Sequence, residues 1–307
     1  MDIVFFGSGA FGIPSLERLV QDHRVQAVVT QPDRPVGRGK KLTPTPIGQA
    51  IESLDSSIPV YKPERINQAE VRDEIREINA DTWVVIAYGQ KLGQKLLADK
   101  FAINLHASIL PRWRGAAPIN AAVVAGDLET GTSVITLVDE MDAGDVLAGS
   151  TRAIMPNETA GKLHDLLAID GTAPLLQTLK AHRSGSLNPV VQDTSLVTLA
   201  PKLSKKDAML DFAWNATRCR NTIHGYNPGP SVTVTLGDLQ IKLHRAEALG
   251  NISDAKPGTV VDADQGIVSC GEGRLRLIEV QPAGKKPMPW ADFSRGRSVE
   301  AGAVLLP

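Results

Sequence analysis

The chain has 307 residues, of which 42% are apolar and 22% are charged, and its formal net charge is −1 at pH 7. This length allows one large or two ordinary domains with a sizeable buried core, and the composition predicts a globular protein. A nearly neutral chain has no general attraction for nucleic acid, so any nucleic-acid partner must be bound through a local basic patch.

The chain begins MDIVFFGSGAFG, which passes directly into a predicted strand and a glycine turn. This beginning resembles neither a basic leader nor an Arg- and Ser-rich presequence, and no apolar run reaches the length of about 18 residues that a membrane span needs. We therefore expect a cytoplasmic protein. The two cysteines, Cys219 and Cys270, have no His or Cys at metal-ligand spacing, so we expect buried thiols and neither a zinc site nor a disulfide framework.

The first part of the chain alternates apolar runs of strand length with segments at helical period. The runs that we predict as strands are IVFF, VQAVVT, TWVVIA, FAINLH and SVITLV. The segments that we predict as helices are PSLERLVQ, EVRDEIREI and AAPINAAVVAG, and a mostly helical stretch over residues 160–182 would close this domain. The alternation is typical of an α/β fold with a parallel, Rossmann-like sheet.

The pattern changes after residue 185. Residues 186–205 are rich in Pro, Ser and Lys, which predicts a linker along a surface. In residues 206–307 a predicted helix, AWNATRCRNTIHG, precedes five short β-like runs near residues 231–236, 239–247, 257–262, 266–270 and 273–281. Short strands separated by Gly, Asp and Pro in this way predict a small β-barrel of OB-like size. The expected domains are therefore 1–185 and 206–307, joined by a linker over 186–205.

Residues 7–12, GSGAFG, match the G-x-G-x-x-G fingerprint of dinucleotide-binding proteins between a predicted strand and a predicted helix, and Asp33 follows at a suitable distance. Two features argue against a nicotinamide cofactor. Pro14 interrupts the first helical turn, and Asp33 falls in a loop, QPDRPVGRGKK. We interpret the glycines as a tight turn that lets the helix pack close to the sheet. A nicotinamide-dependent dehydrogenase remains the alternative from a different class.

A polar pair stands at the end of the predicted strand FAINLH. Residues two apart in a strand point to the same face, so Asn104 and His106 project together at the carboxyl end of a parallel strand, where α/β sheets bind ligands. A second polar cluster, VDEMDAGD, follows the next predicted strand, and we expect its Asp142 to reach His106. We interpret its other acidic residues as parts of an ordinary turn: Asp139, Glu140 and Asp145.

Asn104, His106 and Asp142 together predict acyl-type chemistry. A carboxylate beside the imidazole would stabilise the protonated ring and orient it. An imidazolium beside a carboxamide donor can stabilise the oxyanion of a tetrahedral intermediate. The chain has no G-x-S-x-G elbow and no cysteine in a catalytic setting, so a direct transfer fits better than a covalent enzyme intermediate.

These residues resemble a known family. The Asn-x-His pair, the loop SILPRWRG and the downstream MDAGD are similar to the signature of the 10-formyltetrahydrofolate-dependent formyltransferases. Further segments resemble the members of that family that act on methionyl initiator tRNA: TQPDRPVGRGKKLTPTPI, VVIAYGQ, GAAPIN, LSKKDAMLDF and VQPAGKKPM. The order and number of these segments make the resemblance specific, and it extends from end to end of the chain.

The resemblance implies a Rossmann-like formyltransferase domain and an OB-like barrel that binds tRNA, in a monomer. It implies transfer of the formyl group of 10-formyltetrahydrofolate to the α-amino group of methionyl initiator tRNA, with neither a metal nor NAD. Asn104 and protonated His106 would hold the formyl oxygen, and His106 or a water would relay a proton towards N10 of the folate. Asp142 would keep His106 charged and aligned.

The resemblance also implies binding residues. One wall of the folate site would comprise Ser108, Ile109, Leu110 and Pro111, and the main chain lining the pterin pocket would comprise Ile86, Ala87, Tyr88 and Gly89. The loop Gln31–Lys41 would enter the acceptor end of the tRNA, with Arg38 at the position of the family's key arginine. The basic residues implied in tRNA binding are Arg34, Arg38, Lys40, Lys41, Lys205, Lys206, Lys285 and Lys286.

The chain departs from the family pattern at two positions. It reads YNPGP, with Gly229 where the family commonly has an aromatic residue, and it has Ile109 for the usual Leu. A close alternative is a formyltransferase for a sugar amine or glycinamide ribonucleotide, which would not require the basic loop and the QPAGKK segment. Another is an RNA-binding protein without catalysis, which would leave the Asn104, His106 and Asp142 set unexplained.

Overall fold

The computed structural model describes residues 1–37, 39–250 and 254–307, so Arg38 lies outside the described residues. The chain forms two compact units that interleave along the sequence. The first contains Met1–Gly115, Gly131–Arg152 and His164–Leu199, and the second contains Ala116–Thr130, Ala153–Leu163 and Ala200–Pro307. The boundaries expected from the sequence, at residues 185 and 205, stay a prediction.

A seven-stranded sheet organises the first unit. The strands up to residue 200 are β1 (Asp2–Gly7), β2 (Arg24–Val29), β3 (Arg34–Val36), β4 (Lys41–Thr43), β5 (Val60–Tyr61), β6 (Thr82–Ile86), β7 (Ala102–His106), β8 (Arg114–Gly115), β9 (Glu129–Thr136), β10 (Val146–Ala153) and β11 (Leu199–Ala200). The sheet order is β10-β9-β7-β6-β1-β2-β5. The strands from β5 to β7 in this order pair in parallel, as predicted. β9 was also predicted to be parallel, which is wrong, because it runs antiparallel to β7.

Helices connect or follow the strands along the sequence. They are α1 (Ile13–Asp22), α2 (Pro46–Leu54), α3 (Ala69–Arg76), α4 (Gln94–Leu97), α5 (Pro118–Ala125), α6 (Ala160–Asp170) and α7 (Thr172–Arg183). β1 and β6 are buried almost throughout, which is why both appear in the sequence as continuous apolar runs. One core cluster contains Phe6, Trp83, Ile75 and Leu96. Within the described residues, no helix is long and apolar enough to cross a membrane.

The glycine turn after β1 is closely packed against the end of β6. A Cβ atom on Gly7 would lie 3.0 Å from the carbonyl oxygen of Ile86. The main-chain N–H groups of Ser8 and Gly9 donate to the carbonyl oxygen of Ala87 at 3.2 and 3.3 Å. These amides therefore bind the protein's own main chain, whereas a dinucleotide fingerprint would use such amides for a pyrophosphate. The geometry supports the packing interpretation of the glycines.

The second unit contains a closed antiparallel sheet. Its helices and strands beyond residue 200 are α8 (Ala216–Gly225), β12 (Val232–Leu236), β13 (Leu239–Leu249), β14 (Val260–Asp262), β15 (Ile267–Ser269), β16 (Arg274–Pro282), β17 (Met288–Pro289), α9 (Trp290–Arg297) and β18 (Leu305–Leu306). The sheet order is β14-β15-β16-β13-β12-β18, and β17 pairs with β16. Main-chain bonds from Val260 to Ala303 and from Leu305 to Gly258, both 2.8 Å, join the two ends of this order. The predicted barrel is thereby confirmed.

The barrel interior is filled by apolar side chains and two thiols. Trp290 and Phe293 from α9 belong to the same buried cluster as strand residues such as Leu243. Cys219 on α8 and Cys270 after β15 are free, buried thiols, as predicted. Their sulphur atoms lie 3.9 Å apart, a proximity that their wide separation in the sequence does not indicate.

Candidate active site

Asn104 and His106 stand at the carboxyl end of β7, and both approach Asp142. The Nδ2 atom of Asn104 donates to Oδ1 of Asp142 at 3.4 Å. The Nδ1 atom of His106 lies 3.6 Å from Oδ2 of the same carboxylate, and the side chains of His106 and Asp142 are 6% and 13% exposed. The three residues predicted as catalytic therefore lie together and are largely withdrawn from water, where electrostatic interactions are stronger than in bulk solvent.

Asp142 reaches this place through the turn between β9 and β10. The prediction that Asp142 stands at the end of a neighbouring parallel strand is wrong, because β9 runs antiparallel to β7. Asp142 has a left-handed main chain, φ 53°, and its Oδ2 accepts the N–H of Gly115 at 2.9 Å. A Cβ atom on Gly144 would lie 1.7 Å from the carbonyl oxygen of Thr136, so this close approach requires a glycine.

The other acidic residues of this turn make contacts that fit the predicted structural role. Asp139 pairs with Lys91 at 2.7 Å, and both side chains are exposed. The exposed carboxylate of Glu140 accepts from Arg114 at 2.9 Å. The main-chain oxygen of Asp145 accepts the N–H of Thr136 at 3.0 Å.

The ring of His106 is oriented by a main-chain carbonyl that sequence reasoning missed. Its Nε2 lies 2.9 Å from the carbonyl oxygen of Trp113. Because a carbonyl can only accept, Nε2 carries a proton and donates it to this bond. Nδ1, which faces Asp142, is therefore the ring atom that can gain or release a proton. Trp113 itself has a left-handed main chain, φ 63°, and its N–H donates to Oγ1 of Thr198 at 2.9 Å.

The predicted linker contributes to this site. β11 pairs with β8, and the N–H of Arg114 donates to the carbonyl oxygen of Thr198 at 2.9 Å. Gln192 is buried and accepts from the side chain of Arg114. Neither Thr198 nor Gln192 was predicted as a site residue. Arg114 is the central residue of WRG in the motif, but no sequence pattern identifies the residues that bind it.

The segment after β6 was predicted to line a pterin pocket with its main chain. Its exposed residues have little or no side chain. Ala87 and Gly89 are exposed and have left-handed main chains, φ 47° and 91°. The side chain of Tyr88 is buried and packs edge-on against Phe6 at 5.7 Å, and burial raises the pKa of its hydroxyl. Ile86 is also buried. Any contact of this segment with a ligand would therefore come from the main chain around Ala87 and Gly89, which fits the predicted role.

The predicted folate wall is only partly accessible. The hydroxyl of Ser108 is buried and donates to the carbonyl oxygen of Arg112 at 2.6 Å. The N–H of Leu110 donates to Oγ of Ser133 at 3.1 Å, and the Leu110 side chain is buried. Ile109 and Pro111 are half-buried and are the members of this stretch that could contact a ligand directly.

The basic loop after β2 is a short β-hairpin, not the loop that the sequence predicted. β3 and β4 pair antiparallel, with Arg34 opposite Thr43. Arg34 donates to Glu64 at 2.6 Å, whereas Lys40 and Lys41 are exposed near the turn. Outside the hairpin, the other lysines predicted to bind tRNA are exposed: Lys205, Lys206, Lys285 and Lys286.

Gly229, where the chain departs from the family pattern, is exposed. A Cβ atom added there would meet no atom within 4 Å. The Cβ atom of an aromatic residue at this position would therefore stand in open space.

Matches to known families cover most of the chain. Residues 1–179 match the family described as formyl transferase, and residues 202–298 match the family described as formyl transferase, C-terminal domain. The chain belongs to the formyl transferase family. This confirms the predicted fold of a Rossmann-like formyltransferase domain with a C-terminal β-barrel domain.

Similar proteins carry a more specific name. The chain is 39% identical to the methionyl-tRNA formyltransferase of Clostridium novyi, over 99% of this chain and 100% of that protein. It is 41% identical to the methionyl-tRNA formyltransferase of Acidithiobacillus ferrooxidans, over 99% and 98%. Among solved structures, HypX from Aquifex aeolicus in complex with tetrahydrofolic acid has a TM-score of 0.65 and 14% identity; the match covers 95% of this chain and 46% of HypX. That last likeness concerns the fold alone.

Proposed function

We propose that this protein transfers the formyl group of 10-formyltetrahydrofolate to the α-amino group of methionyl initiator tRNA, giving N-formylmethionyl-tRNA for translation initiation. Membership of the formyl transferase family and the two full-length relatives support this substrate pair. The observation that carries the proposal is the meeting of Asn104, His106 and Asp142 at the end of β7. A reaction on aminoacylated tRNA also agrees with the expected cytoplasmic location.

The nucleophile needs little activation. A free α-amino group has a pKa of about 8, so a useful fraction is unprotonated near neutral pH. Its nitrogen attacks the formyl carbon, the carbonyl oxygen becomes an oxyanion, and the bond from that carbon to N10 of the folate then breaks. The proton lost by the amine ends on N10. The protein's task is therefore to stabilise the oxyanion and to move one proton.

The residues at the end of β7 suit that task. The carboxamide of the half-buried Asn104 is a donor, and a proton on Nδ1 of His106 would provide a second, charged donor. Oδ2 of Asp142 faces Nδ1 at 3.6 Å, beyond hydrogen-bond distance, and would orient the ring without binding this proton. The proton would thus remain available to the formyl oxygen, while Nε2 stays bonded to Trp113. The side chain of His106, or a water next to it, would pass the proton to N10.

The substrates would be bound by different parts of the chain. The main chain of Ala87 and Gly89, with Ile109 and Pro111, would contact the folate. The hairpin of β3 and β4 would contact the acceptor end of the tRNA through Lys40 and Lys41. Arg38, which lies outside the described residues, is proposed as a further tRNA contact. The exposed lysines of the C-terminal part would contact tRNA phosphates: Lys205, Lys206, Lys285 and Lys286.

The test is transfer of radiolabelled formyl from 10-formyltetrahydrofolate to methionylated initiator tRNA. Elongator methionyl-tRNA, glycinamide ribonucleotide and a sugar amine are run in parallel. We expect label on the initiator tRNA and a loss of kcat of about 100-fold or more in Asp142→Ala and His106→Ala. Asp139→Ala, which removes an exposed carboxylate from the same turn, should keep the wild-type rate.

Two other outcomes would contradict parts of the proposal. Label on a small amine and none on tRNA would reject the proposed acceptor and retain the chemistry. Full activity in both His106→Ala and Asp142→Ala would reject the proposed catalytic site.

A further inference from the structure

Gln192 is a buried amide in a segment that is otherwise exposed or half-buried. Residues 184–199 follow α7 and run to the start of β11, and within them Gln192 is 7% exposed while its neighbour Val191 is 78% exposed. A two-sided main-chain pairing between Val190 and Val146, at 2.8 and 2.9 Å, fixes the segment just before it. Burying an amide is unfavourable unless its donors and acceptors are satisfied, so the partners of Gln192 show what its burial achieves.

The side chain of Gln192 uses its full hydrogen-bonding capacity. Its Oε1 accepts from Nε and Nη2 of Arg114 at 3.0 and 2.9 Å. Its Nε2 donates to the carbonyl oxygens of Asp142 and Gly144 at 2.8 and 2.7 Å. The partners also define the orientation of the amide. In the opposite orientation its NH2 group would face the N–H donors of Arg114, and its oxygen would face the two carbonyl oxygens.

These four bonds connect the two segments that hold the carboxylate of Asp142. One segment is the turn itself, which Gln192 binds through the carbonyl oxygens of Asp142 and Gly144. The other is β8, where Arg114 precedes Gly115, whose N–H donates to Oδ2 of Asp142 at 2.9 Å. Asp142 has a left-handed main chain, which is unfavourable for a residue other than glycine and persists only where the surrounding structure holds it.

We propose that Gln192 is a positioning residue: it holds the turn of Asp142 against β8, so that the carboxylate faces His106 and Asn104. This inference rests on the proposed formyl transfer, in which Asp142 orients the imidazole of His106. Gln192 acts through Asp142 and contacts no reacting atom. Its loss would therefore lower kcat more than it raises the KM for either substrate.

Two substitutions separate the parts of this role. Gln192→Leu removes all four hydrogen bonds at similar size. Gln192→Glu keeps an acceptor for Arg114 but sets an oxygen opposite the carbonyls of Asp142 and Gly144. We expect both variants to lose roughly 10- to 100-fold in kcat.

Wild-type kcat in Gln192→Glu would show that only the contact with Arg114 matters and would overturn the proposal. The matched control is Gln177→Leu, the same change at an exposed position on α7, which should keep wild-type kcat.

A double-mutant comparison distinguishes positioning from general destabilisation. If Gln192 acts through Asp142, then Gln192→Leu should cost little further activity in an Asp142→Ala background. If the two losses multiply, Gln192 affects the reaction by another route and the proposal fails. Since both measurements use formyl transfer, activity of the wild-type protein on methionyl-tRNA is established first, and its absence would reject the proposed function.

A readout without substrate tests the same inference independently. Amide hydrogen exchange is compared in the peptide that contains residues 139–145 and in the peptide that contains Gly115. We expect faster exchange of both peptides in Gln192→Leu and unchanged exchange in Gln177→Leu, whatever the substrate of the enzyme is. Unchanged protection of both peptides in Gln192→Leu would overturn the positioning role.

Discussion

Gly144 occupies a point where no side chain fits. A Cβ atom there would lie 1.7 Å from the main-chain oxygen of Thr136, which belongs to β9 and cannot move as a flexible side chain can. We predict that Gly144→Ala displaces the turn and with it Asp142, so that kcat falls by about 100-fold. Stability should fall by about 1–3 kcal/mol because of the steric conflict. Steady-state kinetics and chemical denaturation measure the two effects.

The same chemical change provides a control in α9. A Cβ atom on Gly296 would meet no atom within 4 Å, so Gly296→Ala should leave kcat unchanged and leave stability equal or slightly higher. Equal behaviour of the two alanine variants would contradict the packing argument for Gly144.

The side chains of the proposed catalytic site could be predicted from the sequence, and the groups that hold them could not. Strand alternation placed Asn104 beside His106, and the Asp-Gly turn MDAGD drew attention to Asp142. Gln192 meets Arg114 across 78 positions of the chain, and no local pattern indicates such a contact. The carbonyl of Trp113 is invisible to residue-type reasoning, because every residue has one.

Hydrophobic patterning predicted which segments form strands but not how all of them pair. Buried strands appear as short apolar runs whether their neighbours are parallel or antiparallel, so the antiparallel course of β9 leaves no sign in the sequence. The hairpin of β3 and β4 was missed for another reason: its strands have three residues each and are largely exposed, and Pro35 lies within the first. The barrel strands β12 to β16 were predicted well, because turns with Gly, Asp and Pro separate them, whereas β17 and β18, of two residues each, were not predicted.

The helix α8 carries a buried histidine that links stability to pH. His224 is 2% exposed, and its Nε2 accepts the N–H of Ala246 in β13 at 3.1 Å. Burial, together with the positive charges of Arg220 and Arg245, lowers the pKa of His224 from 6.5 to about 4. The unfolded chain therefore binds a proton here at a higher pH than the folded protein does. The stability that the neutral ring contributes is complete above pH 6.5 and is lost as pH falls from 6.5 towards 4.

We predict that this loss amounts to about 3 kcal/mol, since one pKa unit corresponds to about 1.4 kcal/mol. Urea denaturation at a series of pH values between 7 and 4 measures it. His224→Gln, whose amide oxygen can still accept from Ala246, should be less stable at pH 7 but should lose less stability on acidification. Parallel stability curves for the two proteins would show that another group causes the acid sensitivity.

The charge balance of the full chain limits how tRNA can be bound. With 33 basic and 34 acidic residues, the protein as a whole does not attract a polyanion, so the proposed binding depends on where the lysines stand. Lys40 and Lys41 are exposed near the turn of the hairpin, whereas the charge of Arg34 is partly balanced by Glu64. Lysines that contact phosphates release counterions on binding, and the salt dependence of kcat/KM for tRNA reports their number.

We predict that Lys40→Ala/Lys41→Ala lowers kcat/KM for methionyl-tRNA and reduces the slope of its logarithm against the logarithm of salt concentration by about 1.5, which corresponds to two lost phosphate contacts. The KM for 10-formyltetrahydrofolate should not change, because the hairpin is not part of the proposed folate site. Lys162→Ala/Lys180→Ala removes the same charge from exposed positions on α6 and α7 and should leave the slope almost unaltered. If both pairs reduce the slope equally, net charge and not the hairpin determines tRNA affinity.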